Sequence, residues 1–115
     1  MLELEHLRDQ LRLFAAERDW DQFHSPKNLA SALSVEAAEL LEHFQWLTET
    51  QSQQLTPEVI EQVRAEVADV LLYLIRLSDK LGIDLIAAAN EKMVLNAKKY
   101  PIEKAFGTSK KYYEL

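Results

Sequence analysis

Two acidic patterns in this chain could do chemistry: Glu36-x-x-Glu39 and, about thirty residues later, Glu66-x-x-Asp69. Residues three apart on a helix share a face, so each pair presents two carboxylates to one spot. If two such helices lie antiparallel, all four groups converge, and their mutual repulsion calls for a cation. A set of oxygen ligands suits a hard divalent ion, Mg²⁺ or alternatively Mn²⁺, whereas zinc more often brings histidine or cysteine. The expected metal ligands are therefore Glu36, Glu39, Glu66 and Asp69. The structural alternative is that Glu66 and Asp69 are neutralised by Arg64, Arg76 or Lys80. A di-iron bundle would want Glu-x-x-His on two helices. Here His43 follows Glu39 by four, and no histidine lies between Pro57 and Leu81, so that reading is discounted.

The elements that must position these groups are helical. Only two glycines and three prolines punctuate the 115 residues, a scarcity that argues against a turn-rich β fold. The spacing predicts four helices, over roughly 2–18, 27–47, 57–81 and 85–100. The first carries Leu4, Leu7, Leu11, Phe14 and Ala15 at helical intervals, and residues 19–26 break it. The second has a seam of Leu29, Leu33, Ala37, Leu40, Phe44 and Leu47, with Glu36 and Glu39 together on one flank. A polar linker spans 48–55. Thr56 is a good N-cap, Pro57 a good first helical residue, Gly82 a natural stop and Asp84 a further cap.

The third helix holds Asp69 within Val67–Ile75, a stretch apolar nearly all round and expected to be mostly buried. A lone carboxylate there is expensive to desolvate and needs a partner. Glu66, Asp69 and Tyr73 share one stripe. The short linker favours antiparallel packing of the second and third helices. The expected organisation is one all-α domain over 1–101, a four-helix antiparallel arrangement, followed by a mobile tail over 102–115. So small a domain buries a modest share of its surface, and association with copies of itself would help.

Aromatic and basic residues suggest what such a centre could hold. Trp20, Phe23 and His24 crowd one loop, and Trp46 falls at the end of the second helix. Loop aromatics can stack a flat base; they can equally plug the core ahead of a helix. Lys92, Asn96 and Lys99 form a stripe on the fourth helix that could grip phosphate oxygens or simply face solvent.

Bulk properties narrow the partners. The net charge of -6 argues against a nucleic-acid polymer as ligand, although a metal or a local lysine cluster can still draw in a phosphorylated small molecule. There is no cysteine, which excludes disulfides and thiolate chemistry. The first residues read as a charged, patterned helix rather than a signal peptide, and no apolar run is long enough for a membrane span, so a cytoplasmic location is expected. No glycine-rich phosphate loop is present. Phosphate handling would run through metal and side chains.

The order Glu-x-x-Glu, Glu-x-x-Asp, then Lys92-x-x-x-Asn96-x-x-Lys99-Tyr100-Pro101 resembles the MazG-like all-α nucleoside triphosphate pyrophosphohydrolases. Phe14–His24, Phe44-Gln45-Trp46 and the ending Lys111-Tyr112-Tyr113-Glu114-Leu115 are similar to the dCTP pyrophosphatase branch. The resemblance covers roughly Leu13 to the C-terminus. It implies Mg²⁺ on the four acidic residues, with Glu36 or Glu39 as the catalytic base. It implies that Trp20, Phe23, His24 and Trp46 hold the nucleoside, while Tyr73, Lys92, Asn96 and Tyr100 face sugar or triphosphate. It further implies a homodimer or homotetramer that completes the helical bundle, and hydrolysis of dCTP or a modified dCTP. Val35 stands where many members have a further glutamate, which the dCTP branch likewise lacks, so no loss of activity is expected; Leu11 stands where animal members of that branch have a histidine near the base, which leaves base preference open. The competing expectation is a non-catalytic helical oligomerisation module.

Overall fold

A computed structural model describes residues 2–115, and every regular element among them is a helix. The chain divides into two compact units, the first ending at Gly82 and the second spanning Ile83–Leu115.

The first unit opens with α1, Leu2–Glu17. Its end is a Schellman turn: Trp20 N–H bonds Ala15 C=O at 2.8 Å and Asp19 N–H bonds Ala16 C=O at 3.2 Å. The left-handed residue in such a turn is usually glycine. Here it is Asp19, at φ +55°, a conformation that costs an ordinary side chain about 1 kcal/mol. The Gln22 amide donates to the Asp19 carboxylate at 2.9 Å and to its carbonyl at 3.1 Å, which helps hold it there. The reversal brings Trp20 edge-on to Phe14, with ring centroids 5.7 Å apart. A 3-10 turn, Asp21–Phe23, then leads to Ser25. The Ser25 side chain caps α2, Pro26–Glu42, by accepting from Asn28 N–H at 3.1 Å.

The second helix stops short of the predicted Leu47. Beyond Glu42 the backbone tightens into three-residue turns, with Phe44 N–H bonding Leu41 C=O and Leu47 N–H bonding Phe44 C=O, both at 2.9 Å. Trp46 therefore sits in a turn rather than on the helix, and it is 86% exposed. The stretch predicted as a plain polar linker contains a short helix, α3, Glu49–Ser52. Its cause is local: Thr48 and Gln51 form a reciprocal capping box.

The long helix α4, Pro57–Lys80, begins at the Thr56 cap as its sequence predicts, and the chain leaves it through Gly82 at φ +67°. It packs mainly against α2 and less extensively against α1. The packing with α2 is antiparallel: His24, just before α2, meets Arg76, whereas His43, just after it, lies 3.9 Å from Glu66. The fully buried apolar residues are few among those described, namely Ala15, Leu29 and Ile75. The stretch 67–75 is not buried all round as predicted, since Val67 is 51% exposed and Leu71 40%. Within this unit α1 and α2 cover only part of the circumference of α4.

The second unit comprises α5, Leu85–Lys99, capped by Asp84; α6, Ile102–Ala105; and a 3-10 turn, Tyr112–Glu114. Tyr100, Tyr112 and Tyr113 meet edge to face, and Lys99 Nζ lies 4.8 Å from the centroid of the Tyr112 ring. Among the described residues no helix is long and apolar enough to cross a membrane.

Candidate active site

The acidic centre is built across the α2–α4 contact. Glu36 and Glu39 lie one turn apart on α2, and antiparallel packing sets Glu66 of α4 against them. Carboxylate oxygens of these three residues lie within 4.8 Å of one another. Glu36 and Glu66 each keep one oxygen, Oε2, buried with no hydrogen-bond partner. A buried anionic oxygen without a donor is costly; the nearest basic group, His43 Nε2, lies 3.9 Å from the other oxygen of Glu66. Burial, followed by hydrogen bonding to Glu39 and the charges of Glu39, Asp69 and Glu66, pushes the Glu36 carboxyl up to about 7.

The cations that could have neutralised this centre are engaged elsewhere. Arg64 pairs with Glu61 at 3.5 Å, Lys80 with Asp21 at 3.1 Å, and Arg76 with Asp21 and Asp79. The structural alternative therefore does not account for Glu66 or Asp69. The donor set, all oxygen and short of positive charge, fits a hard divalent cation. Three of the four expected ligands meet in one cluster. Asp69 is not one of those three and is exposed, yet it acts on the Glu36 charge.

Asp69 also lines a cavity of about 420 Å³ between α1 and α4. Leu7, Leu11, Phe14, Trp20, Leu72 and Tyr73 give it apolar walls. Gln10, His24, Asp69 and Arg76 supply its polar groups. Such a site, mostly apolar with a few convergent polar atoms, can take a planar heterocycle and fix its orientation. Through Asp69 the cavity and the acidic centre are linked, which suits a ligand with an aromatic end and an anionic end.

Charge at the other end of the cavity is closely paired. Arg76 is only 5% exposed. It donates to Asp21 and, from Nε, to His24 Nδ1 at 3.2 Å. Asp79 takes a two-point contact from Arg12, with Nε–Oδ2 at 2.7 Å. Lys80 and Arg76 hold the Asp21 carboxyl below the usual carboxylate range, and Arg12 does the same for Asp79. Burial, aided by the Arg76 charge, lowers the His24 imidazole below its ordinary value.

Of the residues predicted from sequence to contact a nucleoside, Trp20, His24 and Tyr73 line the cavity. Phe23 and Trp46 do not; they are 58% and 86% exposed. Lys92, Asn96 and Tyr100 belong to the second unit, where Asn96 and Tyr100 are half-buried and Lys92 is exposed. Sequence reasoning missed Leu7, Gln10, Leu72 and Arg76 as cavity residues, whereas the family resemblance had set Leu11 and the segment from Phe14 to His24 beside the base. The stripe Leu7, Leu11 and Phe14 has the spacing of a core seam, and spacing does not distinguish a packed seam from a cavity wall. Arg76 carried a signal, a charge within an apolar run, but its hydrogen-bond partners, His24 and Asp21, lie more than fifty residues away.

The model of the MazG-like family matches residues 31–115. Human dCTP pyrophosphatase 1 is 43% identical over 114 residues, 97% of this chain and 67% of the relative. The mouse dCTP pyrophosphatase 1 is 41% identical over the same shares of the two chains. A crystal structure of a pyrophosphatase from Archaeoglobus fulgidus aligns with a TM-score of 0.76 at 45% identity, covering 86% of this chain and 93% of that one.

Proposed function

The chain belongs to the MazG-like family of nucleoside triphosphate pyrophosphohydrolases, and from that premise we propose that it hydrolyses dCTP, or a modified dCTP, to the monophosphate and pyrophosphate with Mg²⁺. The observation that carries this reading is the pair of buried, donor-less oxygens on Glu36 and Glu66 beside Glu39. Glu36, Glu39, Glu66 and Asp69 would hold the ion, with Mn²⁺ able to replace it. When bound, the cation supplies neutralisation of the triphosphate and of the charge that develops on the leaving group.

The protein's own groups do the remaining work. The cavity takes the nucleoside: Phe14 and Trp20 supply aromatic walls, while His24 supplies a polar atom for the base edge. Tyr73, one turn beyond Asp69 on the cavity wall, would face the sugar. A carboxylate of α2, Glu36 or Glu39, accepts a proton from water as its oxygen attacks the α-phosphorus. The bond from that phosphorus to the bridging oxygen breaks, and pyrophosphate departs. Lys92, Asn96 and Tyr100 carry a triphosphate-binding role on the family resemblance alone.

The exposed faces of Val35, Leu41, Val67 and Leu71 support association of the chain with copies of itself as a dimer or tetramer. A cysteine-free chain suits the reducing cytoplasm, which we take as its compartment.

The test is a panel of nucleoside triphosphates assayed for pyrophosphate, with Mg²⁺ present and then chelated. The expected result is preferential turnover of dCTP or a 5-substituted dCTP that ceases on chelation. Turnover that survives complete chelation would remove the metal from the mechanism. No turnover of any nucleotide would remove the reaction.

A further inference from the structure

Arg76 is a buried cation that the hydrolytic reaction does not call for. A guanidinium has five N–H groups and no lone pair, so it can only donate. Its Nε lies 3.2 Å from His24 Nδ1, so that nitrogen accepts and carries no proton. The single N–H of the imidazole is then on Nε2, on the other edge of a ring that lines the cavity.

The guanidinium is itself held in place. Asp21 accepts from Nη2, and Asp79 Oδ2 lies 3.8 Å from Nη1. Each carboxylate is tied in turn to a second cation, Asp21 to Lys80 at 3.1 Å and Asp79 to Arg12 at 2.7 Å. Three cations and two carboxylates thus fix one nitrogen against His24. The Trp20 ring stands edge-on to the imidazole at 6.2 Å, which restricts its tilt.

We infer that Arg76 is a positioning residue for substrate selection: it locks His24 as the neutral Nε2–H tautomer, so that the cavity presents a fixed donor to an acceptor atom on the base. The inference rests on the reading of the cavity as the nucleoside pocket. Cytosine carries adjacent acceptors, O2 and N3, along one edge. A ring with N–H at the position met by Nε2 would set donor against donor. A pocket that hydrogen-bonds its ligand rejects the mismatched ring more strongly than one that relies on size.

Two measurements on the full-length protein test this. A long-range ¹H–¹⁵N correlation spectrum near neutral pH, with the His24 signals assigned from a His24→Gln sample, should show Nε2 protonated and Nδ1 bare in the wild type. Finding Nδ1 protonated, or both nitrogens, overturns the lock without any variant or nucleotide. In Arg76→Met the tautomer preference should vanish and the KM for dCTP should rise about five-fold or more, the worth of one hydrogen bond, with kcat changing less. Arg76→Lys, which keeps a donor and the charge for Asp21, should recover part of the KM. If the tautomer is as stated but Arg76→Met leaves KM unchanged, the link to substrate selection is wrong. Wild-type protein that hydrolyses no nucleotide would sink the functional reading and the selection claim with it, a failure seen before any variant is assayed.

Discussion

Glu36 and Glu66, on facing helices, each hold one carboxylate oxygen out of water with no hydrogen-bond donor against it. This arrangement makes the metal-free protein carry a local electrostatic penalty that a bound dication would relieve. Glu66→Gln and Asp69→Asn should each reduce turnover by at least about a hundred-fold, the loss expected when charge stabilisation of the reacting phosphate is removed, while the helical circular dichroism is retained. Mg²⁺ should raise the Tm of the wild type and do so much less in either variant. A variant that turns over dCTP at close to the wild-type rate would displace that residue from the site.

The raised Glu36 carboxyl gives the metal-free protein an unusual pH dependence. In the unfolded chain this group titrates near 4.5, and in the folded chain at about 7. The folded state therefore binds the proton more tightly, and its stabilising contribution is complete below the unfolded value. It is lost as pH rises through the window between the two. Glu36→Gln, which cannot ionise, should flatten that decline in chelator-treated protein, as read by Tm against pH. An equally steep decline in the variant would assign the effect to another group.

Trp46 stands in the turn after α2 with 86% of its surface exposed. If it reaches the nucleoside in the assembled enzyme, Trp46→Ala should raise the KM for dCTP about ten-fold, in line with loss of one base-stacking contact, and change kcat much less. In a Trp20→Phe protein, Trp46 becomes the sole indole. Its emission should then move to shorter wavelength as protein concentration rises and the chains associate. Emission independent of concentration together with an unchanged KM would leave Trp46 a surface residue.

Asp19 adopts the left-handed conformation that ends α1 and turns Trp20 back to Phe14. A β-branched side chain is strained there and loses the bond from Gln22. Asp19→Val should cost about 1–2 kcal/mol of stability, whereas Asp19→Asn, which tolerates this conformation, should cost much less. Denaturant midpoints would check both, and equal midpoints for the two variants would mean that the turn does not constrain the fold.

Most of the helical plan was legible because its signals are local. Thr56-Pro57, Gly82 and Asp84 mark helix ends through their own hydrogen-bonding and backbone preferences, and the structure uses each as such. The early end of α2 was not legible, since no glycine marks it and the seam continues through Phe44 and Leu47. The capping box at Thr48 was readable but lay inside a run whose composition suggested a linker. At the site, the i, i+3 carboxylates announced themselves, and three of them meet. The cavity did not, because a row of apolar residues has the same spacing whether it packs or encloses space. Nor did the Arg76 network, which joins residues from both ends of the first unit through contacts that no sequence period encodes.

The carboxylate and the guanidinium that flank the site, Glu66 and Arg76, are carried on the same uninterrupted helix. At 1.5 Å per residue their separation along the axis is about 15 Å, and it cannot stretch without breaking backbone hydrogen bonds. The helix is therefore a ruler, setting both the length and the rotational phase of whatever is gripped at its two marks. One residue inserted between Asp69 and Arg76 would rotate one mark by about 100° relative to the other, so this interval can change by substitution but not by length.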